Sequence, residues 1–328
     1  MRWFMGWALV VFASAVLVSP VVAEDGKPLP LRGPAKVGGQ TFHIEGRRVL
    51  EGRLSIQQGT RVVGKGLGAV LVVKGHLTVT GTAQRRCSFE NVVIELPAEF
   101  REVHISTTKF LGGAGIKSAL DEAVSGRLFL EECTFERESP LNFRFQRGTI
   151  DLITILAQGA VNIQCVNPPK KDTNSVRVNV MSCGPSRDLS GALHGGLFID
   201  GANDCTVRLN YLGGDRVVLS NNRKLMFDGN KVKATTLEIR QDVAGRLSKT
   251  KILKCDVYSR TIKVFAPKDG KKKDIVRVDK CWFKIRHKNR KDLLAKVFDD
   301  GAKDEKNGAR VIIQKVMEKP LALAGEGE

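Results

Sequence analysis

The stretch VRVDKCWF at residues 276–283 carries the pattern on which the fold prediction rests. Two apolar residues stand one residue apart, a small polar or cysteine side chain follows three places later, and another apolar residue lies two places beyond it. The same pattern occurs in VHISTTKF (103–110), LFLEECTF (128–135) and LMFDGNKV (225–232). We call its small side chain the corner residue, because the two residues before it interrupt the alternation that an extended strand keeps.

The corner residues recur with a regular period. In the C-terminal part we assign them to Cys205, Asn230, Cys255 and Cys281, which are 25, 25 and 26 residues apart. The cysteines at 87, 133, 165, 183, 205, 255 and 281 span 194 residues, or eight steps of about 24. Such a period is typical of repeat proteins, and the alternating runs are typical of strands with one buried face. The sequence therefore predicts an all-β solenoid.

These segments, together with ILKCDV (252–257) and GHLTVTGTAQRRCSF (75–89), resemble the right-handed parallel β-helix repeat proteins found among exported bacterial proteins, the pectin-lyase-like solenoids. Residues 282–321 also look like the closing segment of that family. The resemblance covers about residues 50–320. It implies a single-stranded right-handed parallel β-helix of about ten coils, capped at both ends. Because one fold carries many activities, it indicates little about function.

The chain divides into four regions. Residues 1–23 predict a signal peptide, since Arg2 precedes an apolar run that ends in Val-Val-Ala; the alternative, an uncleaved anchor, is short of the roughly 20 residues that a spanning helix needs. We expect cleavage near Ala23 and export to the periplasm or medium. Residues 24–49 are predicted as a lead-in or cap, 50–292 as the β-helix with irregular or inserted coils at about 136–200, and 293–328 as a capping segment and tail.

Stacking of the coils should place like residues in columns. We expect Thr108, Cys133, Asn230, Cys255 and Cys281 to form one buried column, with a column of inward Phe or Val two residues further on. Two interpretations of the cysteines stay open. They are reduced packing residues, or neighbours such as Cys183 with Cys205 and Cys255 with Cys281 form disulfides.

The composition suits a folded, basic protein with acidic partners. With 42% hydrophobic and 27% charged residues, the chain is neither collagen-like nor mainly disordered. Fifty-three Lys and Arg against 35 Asp and Glu give a net charge of +18. Most of this excess lies between residues 246 and 292. A net positive charge indicates acidic partners but says nothing about fold.

Aligning the repeats places cations on one outward strip. Counted from the assigned corner residues, the third positions are Arg208, Lys233, Tyr258 and Lys284, and the fifth positions include Arg260 and Arg286. The equivalent early positions are Glu90 and Glu136. The leading hypothesis is an exported, non-catalytic scaffold that binds acidic polysaccharide or an envelope component through these six residues. The alternative is an ordinary solvated face. Nucleic acid is not an expected partner, and the oligomeric state is left open.

An enzymatic alternative also stays open, as a polysaccharide lyase or a glycoside hydrolase. A hydrolase needs two close carboxylates, for which Asp200, Asp204 and Asp228 are the candidates. A lyase needs a basic residue beside a neutralised uronate, for which Tyr258, Arg260 and Lys284 are the nearest set. No CxxC, HExxH or Cys/His cluster occurs, so neither a metal nor another cofactor is expected.

Overall fold

The structure is a computed structural model. It describes residues 26–119, 122–166, 174–183, 186–187, 193–240, 250–259, 261–264, 275–284 and 310–317. Within these residues the secondary structure is β-strand, with no helix. Nearly every strand pairs in parallel with the equivalent strand one turn before and one turn after. The chain is therefore a parallel β-helix of about nine turns, which confirms the predicted fold.

Three ladders of parallel strands, sheets A, B and C, follow one another in each turn. Sheet A contains β2 (Ala35–Val37), β4 (Arg53–Gln57), β6 (His76–Thr80), β9 (Glu99–Ser106), β12 (Val124–Glu131), β17 (Asn174–Asn179), β22 (Asp204–Arg208), β25 (Leu225–Asp228), β28 (Thr250–Leu253) and β32 (Arg310–Val316). Sheet B contains β1 (Lys27–Pro28), β7 (Cys87–Glu90), β10 (Thr108–Leu111), β13 (Thr134–Phe135), β15 (Leu156–Ala157), β18 (Ser182–Cys183), β23 (Tyr211–Leu212), β26 (Lys231–Val232) and β29 (Asp256–Val257). Sheet C contains β8 (Val92–Leu96), β11 (Gly115–Ser118), β16 (Ala160–Cys165), β21 (Gly196–Asp200), β24 (Arg216–Ser220), β27 (Thr236–Arg240) and β30 (Thr261–Val264).

Longer strands run through a corner and connect two sheets. These are β3 (Thr41–Leu50) and β5 (Arg61–Val73) from B to C, β14 (Leu141–Ile153) from C to A, and β31 (Ile275–Phe283) from A to B. One pair departs from the parallel pattern: β19 (Ser186–Arg187) and β20 (Leu193–His194) are antiparallel. They lie within residues 136–200, where irregular or inserted coils were expected.

The predicted column of corner residues is confirmed, and it lies between sheets A and B. The strand register places Thr108 next to Cys133, and Asn230, Cys255 and Cys281 in three successive turns of the same column. All five side chains are buried. The complete column is Thr60, Cys87, Thr108, Cys133, Ile155, Met181, Asn210, Asn230, Cys255 and Cys281.

Two of the assigned corner residues are wrong. Cys205 lies in sheet A, in register with Val176 and Leu225, and Cys183 lies in sheet B, in register with Ala157 and Leu212. Their turns use Asn210 and Met181 at the corner. The regular cysteine spacing gave the wrong corner residues for two reasons. A turn here has 20 to 29 residues, and a buried cysteine also serves as an ordinary small core residue.

A left-handed backbone conformation produces the bend before nine of these ten corner residues, all but Cys87. Gly59 and Gly229 adopt it with φ of 73° and 64°. The other seven turns use a residue with a side chain at this place, namely Thr107, Glu132, Thr154, Val180, Leu209, Lys254 and Lys280, with φ between 48° and 54°. Four corner residues, Thr108, Cys133, Cys255 and Cys281, donate to the carbonyl two residues before them, as in Thr108 Oγ1 to Ser106 O at 2.8 Å and Cys255 Sγ to Leu253 O at 3.0 Å. This bond holds the backbone in the bend.

Aromatic and aliphatic side chains fill the interior next to the corner column. Phe89, Phe110 and Phe135 lie two residues beyond their corner residues and stack with ring centroids 5.4 and 4.3 Å apart. The same column continues with Ala157, Cys183, Leu212, Val232, Val257 and Phe283, all buried. The predicted inward column is therefore confirmed, with Phe or Val in all of its described turns from Phe89 to Phe283 except those of Ala157, Cys183 and Leu212.

All seven cysteines are buried and have free thiols. Burial raises the pKa of Cys133 and Cys183 to about 12, and it raises the pKa of Cys255 well above its ordinary value. Cys183 and Cys205 lie in different columns, whereas Cys255 and Cys281 are in adjacent turns of one column. The structure thus agrees with the interpretation as reduced packing residues.

The ends of the solenoid extend beyond the predicted core on both sides. Within residues 24–49, β2 and β3 already pair in parallel with β4 and β5, so much of this segment belongs to the first turns. At the other end β32 pairs with β31 and adds the last strand of the described residues. The predicted signal peptide, 1–23, and the predicted capping segment and tail, 293–328 apart from residues 310–317, lie outside the described residues.

Candidate functional site

The outward face of sheet B carries the most distinctive group of side chains. Each short strand of this sheet buries the residue two places after its corner residue, so the first and third places point outward. In the last turns the first places are Tyr211, Lys231, Asp256 and Trp282, and the third places are Gly213, Lys233, Tyr258 and Lys284. Of these, Asp256 and Gly213 are buried. We call Tyr211, Lys231, Lys233, Tyr258, Trp282 and Lys284 the aromatic-lysine patch.

Lysines and aromatic rings alternate within this patch. Lys233 Nζ lies 5.5 Å from the ring centroid of Tyr211 and 5.6 Å from that of Tyr258. Lys231 Nζ lies 5.8 Å from the Tyr258 centroid. The rings of Tyr258 and Trp282 are 4.9 Å apart with an interplanar angle of 57°. The ammonium groups of Lys231 and Lys233 thus each meet an aromatic face at the distance of a cation–π contact, which orders the patch.

The patch concentrates the rarer aromatic residues of the chain. Tyr211 and Tyr258 are the only tyrosines, and Trp282 is the only tryptophan after residue 7. Tyr211 is 36% exposed, Lys233 and Lys284 are exposed, and Tyr258 and Trp282 are partly exposed. Aromatic rings on an outer face of a solenoid do not serve its core. Their clustering next to lysines indicates a binding surface.

Three of the six residues predicted from the sequence lie together in this patch. Lys233, Tyr258 and Lys284 occupy equivalent places in adjacent turns, as expected. Arg260 and Arg286 lie outside the described residues. The prediction missed Tyr211, Lys231 and Trp282, which occupy the first place after their corner residues; the signal was present in the sequence, but only the third and fifth places were aligned.

Arg208 does not belong to the strip. It lies on β22 in sheet A, two residues before the true corner residue Asn210. Its guanidinium pairs with the Asp228 carboxylate of the next turn, with Nη2 and Oδ2 3.1 Å apart. The error follows from the assignment of Cys205 as the corner residue, which moved this turn out of register by five residues.

The carboxylates proposed for a hydrolase are not brought together as a pair. Asp200 ends β21 on sheet C, where its Oδ1 accepts from Ser220 Oγ at 2.7 Å and from Asn221 Nδ2 at 2.9 Å. Asp204 and Asp228 are on sheet A, and Asp228 is engaged by Arg208. Asp200 instead lines a polar groove of about 370 Å³ on the outside of sheet C, beside Asn162, Gln164 and Phe198.

The described residues offer neither a metal cluster nor a reactive thiol. Among them, no three His, Cys, Asp or Glu side chains are grouped so that they could hold a metal ion. Burial raises the pKa of Cys165 to about 12, so this thiol, like those of Cys133 and Cys183, is protonated at neutral pH and is a poor nucleophile. Nor does this part of the chain contain a helix with the length and apolar character that a membrane crossing requires.

Comparison with known proteins finds no matching family model, no similar curated protein and no similar solved structure. Function is therefore inferred from the geometry of the chain itself.

Proposed function

We propose that this protein is an exported, non-catalytic β-helix scaffold that binds acidic polysaccharide through the aromatic-lysine patch. The observation that carries the proposal is the alternation of Lys231, Lys233 and Lys284 with the rings of Tyr258 and Trp282 on one outward face. Export is supported by the N-terminal segment and by the resemblance to exported bacterial β-helix proteins.

The two residue types recognise two features of an acidic sugar chain. Aromatic rings present a flat apolar surface on which the faces of sugar rings can stack. Ammonium groups beside them attract carboxylate or sulfate groups on the same sugars. Because Lys233 and Lys284 are exposed and Lys231 is partly exposed, one contact contributes little, and affinity depends on several contacts along one chain.

The geometry favours a polymer that runs along the solenoid axis. Adjacent turns of parallel strands are about 4.8 Å apart, and sugar units in an extended chain repeat on a similar scale. Tyr211, Lys231, Tyr258 and Trp282 belong to four successive turns, so the patch extends for about 14 Å along the axis. We therefore expect a tetrasaccharide to be the shortest ligand that engages the whole patch.

The test is retention on immobilised acidic glycans. Wild-type protein is passed over columns of polygalacturonate, alginate and heparin and over a neutral glucan, and retention is measured against salt concentration. We expect retention on at least one acidic column, weakening with salt, and none on the neutral one. Lys233→Glu should abolish most of it.

The matched control is Lys251→Glu. Lys251 is exposed in the same turn as Tyr258, but it lies on sheet A, so the charge change is equal and the face is different. Equal retention of wild type and Lys233→Glu, or equal loss in both variants, would show that the patch is not the binding site. Release of unsaturated or new reducing ends from any of these glycans would overturn the non-catalytic assignment.

A further inference from the structure

The third outward column of sheet B changes sign along the solenoid axis. In the third place after the corner, the early turns carry Glu90, Leu111 and Glu136, and the last described turns carry Lys233, Tyr258 and Lys284. Each group consists of two like charges that are two turns apart, with an apolar or aromatic residue in the turn between them. The two groups lie at equal distances, in turns, from the turn of Met181.

We propose that sheet B binds sheet B of a second copy of this chain, with the two solenoid axes antiparallel. A two-fold axis along the strand at Ser182 places Glu136 opposite Lys233 of the second copy, Leu111 opposite Tyr258, and Glu90 opposite Lys284. The first and third places keep their columns under this rotation, because it reverses the solenoid axis but not the strand direction. Each contact occurs twice by symmetry.

The first outward column fits the same axis independently. Leu156 and Tyr211 lie one turn before and one turn after Ser182. The two-fold axis therefore places Leu156 of one copy opposite Tyr211 of the second copy. They are 42% and 36% exposed and belong to the few large apolar side chains exposed in the described part of the chain. Ser182, at the axis, is small enough to face its own copy. The antiparallel pair β19 and β20 follows Cys183 along the chain and begins at Ser186.

The charges that would meet are available for a partner. Glu136, Lys233 and Lys284 form no ion pair with another described residue, although Glu136 Oε2 accepts from the Gly112 backbone N–H at 2.8 Å. Glu90 is already paired with Arg61 at 2.5 Å, so its contact with Lys284 should be the weaker. Glu136 and Lys233 are therefore the pair to test.

The size of the face indicates a weak, reversible dimer. Eight turns at about 4.8 Å give a length near 40 Å, and two outward columns give a width of about 10 Å. Each copy then contributes on the order of 400–500 Å², at the low end for specific protein pairs. Because the dimer covers the aromatic-lysine patch, it competes with the acidic ligand; this regulatory consequence rests on the proposed function, whereas the self-association does not.

Sedimentation velocity on the mature chain, from about 1 to 500 μM, tests the interface. Wild type should dimerise, and Glu136→Lys should raise the dissociation constant by about tenfold or more because like charges then meet twice. Lys233→Glu should do the same. The double variant Glu136→Lys/Lys233→Glu restores opposite charges and should dimerise again. Far-UV circular dichroism confirms that each variant is folded.

Glycan retention separates this inference from the proposed function. Glu136→Lys should keep its retention, whereas the double variant should dimerise without being retained. Acidic glycan should convert the wild-type dimer to monomer; a dimer that dissociates on charge reversal but is unaffected by glycan supports the interface and refutes the competition. A wild type that stays monomeric throughout, Glu136→Lys dimers as stable as wild type, or a double variant that is not rescued would each overturn the interface.

Discussion

Replacing Asn230 by alanine should destabilise the solenoid more than any surface substitution. The Asn230 side chain is fully buried in the corner column. Its Oδ1 accepts from the backbone N–H of Asn210 at 3.0 Å and from Asn210 Nδ2 at 2.8 Å, and its Nδ2 donates to Val207 O at 2.9 Å. Alanine removes all three bonds and supplies no replacement partner.

The expected cost follows from the groups left behind. Each buried donor or acceptor that loses its partner costs about 1–3 kcal/mol, and the Asn210 N–H and the Val207 carbonyl are both affected. We therefore expect Asn230→Ala to lower the free energy of unfolding by about 3–5 kcal/mol. Asn230→Thr should cost about half as much, because a threonine in this column still donates to the carbonyl two residues earlier, as Thr108 does.

Urea unfolding followed by far-UV circular dichroism measures these changes. The matched control is Asn162→Ala, an exposed asparagine on the outer face of sheet C, which should change stability by less than about 0.5 kcal/mol. An Asn230→Ala variant within about 1 kcal/mol of wild type, or an equally harmful Asn162→Ala, would show that the corner column is not held by its side-chain hydrogen bonds.

Three further predictions test the interior. Phe110→Ala removes the central ring of the aromatic stack and should cost about 3–5 kcal/mol in urea unfolding; a loss below about 1 kcal/mol contradicts the packing. Because burial raises the pKa of Cys133 to about 12, stability is full below the thiol's unfolded pKa near 9. Above that pH the stabilisation contributed by the Cys133 thiol should fall by up to about 1.4 kcal/mol per pH unit. Cys133→Thr should therefore reduce the slope of stability against pH, and an unchanged slope argues against the raised pKa. Finally, a thiol reagent should label no cysteine in the native protein and all seven in urea without reductant; fewer than seven would reveal a disulfide.

The architecture was predictable because stacking repeats the same local chemistry. A corner residue must be small and must satisfy a backbone carbonyl, which restricts it to Thr, Asn or Cys in most turns, and this restriction is visible as a period. The prediction of corner residues failed in turns whose corner residue is not Thr, Asn or Cys. Ile155 and Met181 occupy the corner without a hydrogen-bond donor, and neither resembles the residues expected there.

The candidate site was only half predictable for the same reason. Lys233, Tyr258 and Lys284 follow correctly assigned corners, so their alignment was right. Arg208 was counted from Cys205, which is not a corner residue. The two kinds of position are hard to distinguish from sequence, because a cysteine in sheet A has the same burial as a cysteine at the corner. Trp282 was overlooked because only the third and fifth places after the corner residues were aligned, and it stands at the first. Its contact with the Tyr258 ring depends on side-chain conformations that only the structure supplies.

The apolar corners of Ile155 and Met181 divide the column into two polar runs. Above and below them, polar corner side chains reinforce the bend. Neither Ile155 nor Met181 has a polar side chain that could do so, but the Met181 backbone N–H donates to Asn210 Oδ1 of the next turn at 2.6 Å, so within the described residues it is the turn of Ile155 that is held by backbone pairing alone. In a chain where each layer touches only its neighbours, such a layer is the natural seam for partial opening. Amide hydrogens around residues 153–156 should exchange before those at Cys133, Met181 or Asn230, so that the molecule would come apart as two stable stacks rather than all at once.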